Sequence, residues 1–118
     1  KMHRYKELKV WQKAIDLAVE VYKITENLPP QERFGLISQM NKCVISIPSN
    51  IAEGAGRNTN KEFDHFLGIS LGSSFELDTQ MVISNRLGYV SIDDFEKIET
   101  ELEHIQNMIV RLKQSLNV

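Results

Sequence analysis

In Ser91-Ile92-Asp93-Asp94-Phe95-Glu96-Lys97-Ile98-Glu99-Thr100-Glu101-Leu102-Glu103-His104-Ile105-Gln106-Asn107-Met108-Ile109-Val110-Arg111-Leu112-Lys113-Gln114-Ser115-Leu116, the positions Phe95, Ile98, Leu102, Ile105, Ile109, Leu112 and Leu116 alternate steps of three and four through three heptads. That spacing aligns them along one side of a helix as a coiled-coil-like seam. Ser91 is placed to cap the first turn, and Asp93 and Asp94 there sit favourably on the positive end of the helix dipole. A helix cannot bury such a stripe alone, so the rest of the chain must supply partners for it.

Working back along the chain, the same periodicity predicts three more helices. From Leu8 to Ile24, Val10, Ala14, Leu17, Val21 and Ile24 form one stripe, and Leu8, Trp11, Ile15, Ala18 and Tyr22 form a second that widens the buried face. Asn27-Leu28-Pro29-Pro30 ends this helix, and Pro30 is suited to open the next one after a tight turn. The second helix carries Ile37, Met40, Val44, Ile47 and Ile51, with Pro48 inside it. A proline there removes the amide that would bond the Val44 carbonyl and crowds that carbonyl, so a kink is expected, with Ser46, Ser49 and Asn50 at hand to bond the strained backbone. Gly54 and Gly56 weaken the helix end and let another backbone come close. Thr59-Asn60-Lys61-Glu62 has the form of a capping box opening a long third helix. Phe63, Phe66, Leu67, Ser70, Ser74, Leu77 and Met81 make one face and Ile69, Ser73, Glu76, Gln80, Ile83 and Leu87 another, so little of its circumference is purely polar and burial on two sides is expected, the second against a partner subunit. Gly88 supplies its stop. Short connections favour antiparallel neighbours, and the expected fold is all-α: one domain over residues 1–118, an up-down-up-down four-helix bundle.

The chain has 118 residues, 14 Lys and Arg against 16 Asp and Glu, and one cysteine. That length suffices for a core without disulfides or metal. Cys43 has no partner for an internal disulfide, and His3, His65 and His104 lack the spacing of a ligand pair, so neither a metal nor a cofactor is expected. No apolar run reaches the roughly 18 residues that span a bilayer, and Lys1-Met2-His3-Arg4-Tyr5-Lys6 lacks the apolar stretch of a secretory signal; a cytoplasmic protein without membrane contact is expected. The net charge of -2 hides a split, +4 over residues 1–61 and -6 over 62–118. Lys1, Arg4, Lys6, Lys9 and Lys13 make up much of the first, and Asp93, Asp94, Glu96, Glu99, Glu101 and Glu103 much of the second. Two solvated helix faces that attract each other are one reading; a nucleic-acid patch on the first helix is the other.

Counting outward from the turns gives a rough register. Around 58–61, Ser46 faces Ser73 and Cys43 approaches Glu76; around 88–91, Glu76 comes level with His104. Glu76 is then either a hydrogen-bonding residue that fixes register or subunit contact, or a general base of raised pKa. No second acid, nucleophile or phosphate loop accompanies it, so no enzyme and no small-molecule substrate is expected. Asn50, Glu53, Gly54 and Arg57 share a face of the second helix. Glu53 and Arg57 form an i, i+4 pair with Glu62 across the turn, or Arg57, Asn58, Asn60 and Lys61 make an exposed loop for phosphate or a protein partner. Gly68 and Gly72 permit close packing on the third helix.

Leu8-Lys9-Val10-Trp11-Gln12-Lys13-Ala14, Leu28-Pro29-Pro30-Gln31-Glu32-Arg33-Phe34-Gly35-Leu36, Ser46-Ile47-Pro48-Ser49-Asn50-Ile51-Ala52-Glu53-Gly54 with Gly56-Arg57, and Gly72-Ser73 followed by Glu76-Leu77-Asp78-Thr79-Gln80 resemble the four-helix-bundle family named for the 23S rRNA intervening-sequence protein. The resemblance spans nearly the whole chain, and the stretch around Pro48 is its most specific part. It implies a left-handed four-helix bundle that assembles into a ring, commonly a homopentamer, without known enzymatic activity. Pro48, Asn50, Glu53, Arg57, Ser73 and Glu76 are the structural and interface candidates. A related branch, the accessory variability protein of diversity-generating retroelements, partners a reverse transcriptase and uses a basic surface for nucleic acid. By that analogy RNA or a nucleic-acid enzyme would meet Lys6, Lys9, Lys13, Arg57 and Lys61, although this acidic chain lacks the branch's strong positive field.

Overall fold

The computed structural model describes residues 3–118, so Lys1 of the basic cluster lies outside them. Four α-helices run through the described residues, which form no strand: α1 (Lys9–Thr25), α2 (Leu36–Ala55), α3 (Asn60–Arg86) and α4 (Ile92–Leu116). They pack into a body of 45 × 24 × 20 Å, as expected when helices of this length lie side by side. Each helix touches two others, α1 against α2 and α4, and α3 against α2 and α4.

The heptad stripe of α4 is its core face: Ile98, Leu102, Ile105, Ile109 and Leu116 are buried, and Phe95 and Leu112 pack against them half-buried. Ser91 Oγ accepts from the Asp94 amide at 3.1 Å, the cap its position implied. At the start of α3, Thr59 Oγ1 accepts from the Glu62 amide at 3.1 Å and donates to Glu62 Oε1 at 3.0 Å. The box therefore closes on the hydroxyl. α3 ends as the Tyr89 amide reaches the Ser84 carbonyl at 2.9 Å with Gly88 at φ 80°, a left-handed turn that a side chain would strain.

Cross-helix contacts fit a bundle. Between α2 and α3, Met40 meets Ser84, Ser46 meets Ser73, and Gly54 lies against Phe66, so numbers rise along α2 as they fall along α3. Between α3 and α4, Lys113 Nζ bonds Asp64 Oδ1 at 2.9 Å, while Asp78 reaches Glu99. Thr25 Oγ1 donates to Asn41 Oδ1 at 2.8 Å between α1 and α2.

The structure departs from several of these expectations. Pro30 opens a single 3₁₀ turn, Pro30–Glu32, and α2 starts only at Leu36 because Gly35 is non-helical (φ -105°, ψ -113°); the Leu36 amide bonds Glu32 Oε1 at 3.2 Å instead. The second stripe of α1 is not buried in the single chain. Ile15 and Tyr22 lie exposed, and Leu8, Trp11 and Ala18 are half-buried, because α1 has helix neighbours on two flanks only. Within the single chain α3 buries its first face, with six residues buried and Phe66 half-buried; of the second face Gln80 is buried, Ser73 half-buried, and Ile69, Glu76, Ile83 and Leu87 exposed. Gly72 would meet nothing within 4 Å if it carried a Cβ, so it lies open rather than permitting close packing within the chain.

Candidate functional site

The motif around Pro48 builds a polar seam between α2 and α3. Pro48 is buried and α2 continues through it to Ala55. Having no amide hydrogen, it gives the Val44 carbonyl nothing. Side chains bond the neighbouring carbonyls: Ser70 Oγ donates to the Ile47 carbonyl at 2.9 Å, and Asn50 Nδ2 donates to the Ser46 carbonyl at 2.8 Å and to Ser46 Oγ at 2.9 Å. Ser46 and Ser73 hydroxyls meet at 2.8 Å, the pair that turn-counting predicted. One end of the seam closes on Gly54, where a Cβ would lie 2.8 Å from Phe66 Cβ and 2.9 Å from Phe63 Cδ1.

Glu76 is exposed beside this seam, close to Cys43. Burial pushes the Cys43 thiol up to about 11, and Glu76 raises it further while a hydrogen bond with Gln80 opposes the shift. At neutral pH this cysteine is a protonated, buried thiol, the opposite of an activated nucleophile. His104 lines the groove between α1 and α4 instead, so turn-counting levelled Glu76 with His104 along the axis but on different faces, and the structure does not bring them together.

Arg57 lies just beyond α2. Its Nη2 bonds Glu53 Oε2 at 3.0 Å, and the guanidinium stacks 4.7 Å above the centre of the Phe66 ring, whose edge contact with His65 is 5.5 Å away. Arg57, Lys61 and Glu62 share the rim of a shallow hollow of about 390 Å³ with His65 and Phe66. The i, i+4 pair is thus formed across the end of α2, and a stack on Phe66 is added to it. Lys6, Lys9 and Lys13 are exposed at the start of the chain. The His3 amide bonds the Ala55 carbonyl at 2.9 Å, which ties that basic segment to the end of the molecule carrying Arg57 and Lys61. Asp93, Asp94 and Glu96 open α4 at the opposite end, beside the α3–α4 turn. Arg57 and Lys61 thus lie at one end of the bundle with the N-terminal segment, and Asp93, Asp94 and Glu96 at the other.

Two acidic contacts escaped the sequence reading. Asp78 on α3 meets Glu99 on α4, beside a cavity of about 220 Å³. Glu20 on α1 lies beside Glu101 on α4 and bonds Lys97 Nζ at 2.9 Å. Burial, then Glu20, raises the Glu101 carboxyl above the usual range, and the bond to Glu20 raises Lys97. Along this α1–α4 seam runs a groove of about 650 Å³ with Val19 and Ile105 on its walls. The same turn-counting that paired Ser46 with Ser73 would have put Asp78 within a turn of Glu99.

Among the described residues no group of three or more His, Cys, Asp or Glu can hold a metal ion. No helix among them is long and apolar enough to cross a membrane.

The profile of the 23S rRNA-intervening sequence protein family matches residues 6–111. A crystal structure of a protein of unknown function from the S23 ribosomal protein family of Bacteroides thetaiotaomicron superposes with a TM-score of 0.79 at 23% identity, covering 88% of this chain and 97% of that one. At that identity the likeness speaks for the fold. No curated protein matches the chain.

Proposed function

The chain belongs to the 23S rRNA-intervening sequence protein family, and from that premise we propose that it is a non-enzymatic, cytoplasmic protein that assembles into a closed homo-oligomer and acts as a scaffold or binding platform. Five subunits is the ring size that the family resemblance implies. We read the bundle itself as antiparallel, up-down-up-down and left-handed, with α2 bent at Pro48. The opposed numbering of the α2–α3 and α3–α4 contacts supports the antiparallel part.

The observation that carries the oligomer is a pair of unlike apolar faces. α1 presents Ile15, Val19 and Tyr22 to solvent, and α3 with its C-cap presents Ile69, Ile83 and Leu87, with Gly72 also lying open. These helices do not neighbour each other, so their outward sides face away from one another across the bundle. A ring closes through two different complementary patches on each subunit, which is what this disposition offers. Light scattering on a size-exclusion column is the test. The wild-type chain should elute as one oligomer. Val19→Arg or Ile83→Arg, each placing a charge in an apolar contact, should weaken association by about thirty-fold or more while circular dichroism stays helical. A wild-type monomer at micromolar concentration overturns the reading.

The basic end supports a second reading, a nucleic-acid-binding accessory protein contacting RNA or a nucleic-acid enzyme through Lys6, Lys9, Lys13, Arg57 and Lys61. If so, total cellular RNA co-elutes with the protein at low salt and separates at high salt. The double substitution Lys9→Glu/Lys13→Glu should then reduce the salt slope of binding by about two phosphate contacts. RNA left behind at every salt concentration removes this reading and leaves the oligomer untouched.

A further inference from the structure

We propose that the α3–α4 seam is clasped by a proton shared between Asp78 and Glu99, and that loss of this proton loosens the N-terminal half of α4 from α3. The two carboxyls come from different helices. Asp78 Oδ1 and Glu99 Oε2 are both shielded from solvent, and neither has a hydrogen-bond partner as long as both groups are acceptors only. Two carboxylates at hydrogen-bond range repel; one proton between them supplies the missing donor and converts repulsion into a bond.

The cavity beside the pair is lined, besides the two acids, by Thr100, Leu102, Glu103 and Gln106, none of them a cation. The charged groups that act on Glu99 are Asp78 from α3 and Glu103 on α4, both acidic. From α1, Lys13 and Glu20 act on Glu101, on the other flank of α4, together with Lys97. His104 lines that same far groove. From α2, Cys43 engages Glu76 and Gln80 on the far flank of α3, and Lys42 acts on that same thiol. No cation is thus turned toward the pair by the groups that act on it.

Burial first, then the bond to Asp78 and the charges of Asp78 and Glu103, pushes the Glu99 carboxyl up from 4.5 to about 7. Because the folded chain holds this proton more tightly than the unfolded one, its contribution is complete below 4.5 and is lost as pH rises through about 7. The Glu20–Glu101 contact leans the same way on the α1 side, where Lys97 offsets it. The first half of α4 therefore meets acidic partners on both flanks, and the α3 flank is the one without a compensating cation.

Hydrogen exchange on the full chain tests this. After correction for intrinsic rates, amides of residues 95–103 should open about tenfold more often near pH 8.5 than near pH 5.5, less than the full shift implies because the pair is partly open to water. Glu99→Gln and, independently, Asp78→Asn place an amide donor where the proton sat, so both should abolish that difference and remain folded. Carboxyl-carbon NMR on the wild-type chain should show Glu99 titrating near 7. Unchanged pH dependence in both variants, or a Glu99 midpoint in the ordinary carboxylate range, overturns the proposal. Neither outcome depends on oligomerisation or RNA.

Discussion

Phe63→Ala is expected to lower the unfolding free energy by about 3–5 kcal/mol, the usual range for emptying a buried aromatic site. Phe63 is 1% exposed at the first turn of α3. Its ring lies 5.0 Å from that of His3 and close to the backbone of Gly54, so it joins the N-terminal segment, α2 and α3 at one point. The cavity left by alanine would have little freedom to collapse, because Gly54 offers no side chain to fill it. Denaturant unfolding of the purified chain measures the loss, and a midpoint within error of wild type would show that this corner of the core is not close-packed. As a contrast, Phe75 on the same helix is 53% exposed, and its truncation should leave single-chain stability nearly unchanged.

Gly54→Ala should destabilise by about 2 kcal/mol, against the gain of up to about 1 kcal/mol that alanine normally brings to a helix. The added methyl would sit 2.8 Å from Phe66 Cβ, 2.9 Å from Phe63 Cδ1 and 3.2 Å from the Phe63 carbonyl oxygen. Cβ and carbonyl atoms cannot swing aside, so α2 and α3 must separate locally. Phe63→Ala removes one of the three obstacles. Gly54→Ala should therefore cost less in that background, with a coupling of about 0.5–1 kcal/mol. A stabilised Gly54→Ala, by thermal or denaturant melts, would mean that the two helices do not touch there. Gly56→Ala, with nothing nearer than 3.7 Å, is the control that should tolerate the methyl.

The seam around Pro48 was legible because it is short-range in both senses. Ser46, Asn50 and Pro48 lie within about one turn of each other, and the Thr59–Glu62 cap fixes where α3 begins, so counting outward from the loop was enough to set Ser46 against Ser73. Counting fixes height along the axis and not azimuth. That is why Glu76 and His104, level in height, belong to different faces. It is also why the Asp78–Glu99 contact went unseen: like charges at helical spacing read as solvated surface unless their rotation about the axis is known.

Periodicity, caps and breakers were sufficient to specify four helices and the inner stripe of each, since these depend on interactions within a turn or two of the chain. The heptads of α4, the stop at Gly88 and the close approach at Gly54 all follow from residue type and spacing. The fate of the outer stripes does not. Ile15 and Tyr22 on α1, and Ile69 and Ile83 on α3, have the same local signature as core residues. Only the packing of four cylinders, which covers two flanks of each and leaves the rest open, decides which apolar side chains meet water in the single chain. Packing likewise decides that two carboxylates distant in sequence meet in one partly shielded seam, because proximity between helices is a property of their mutual rotation, which no local pattern encodes.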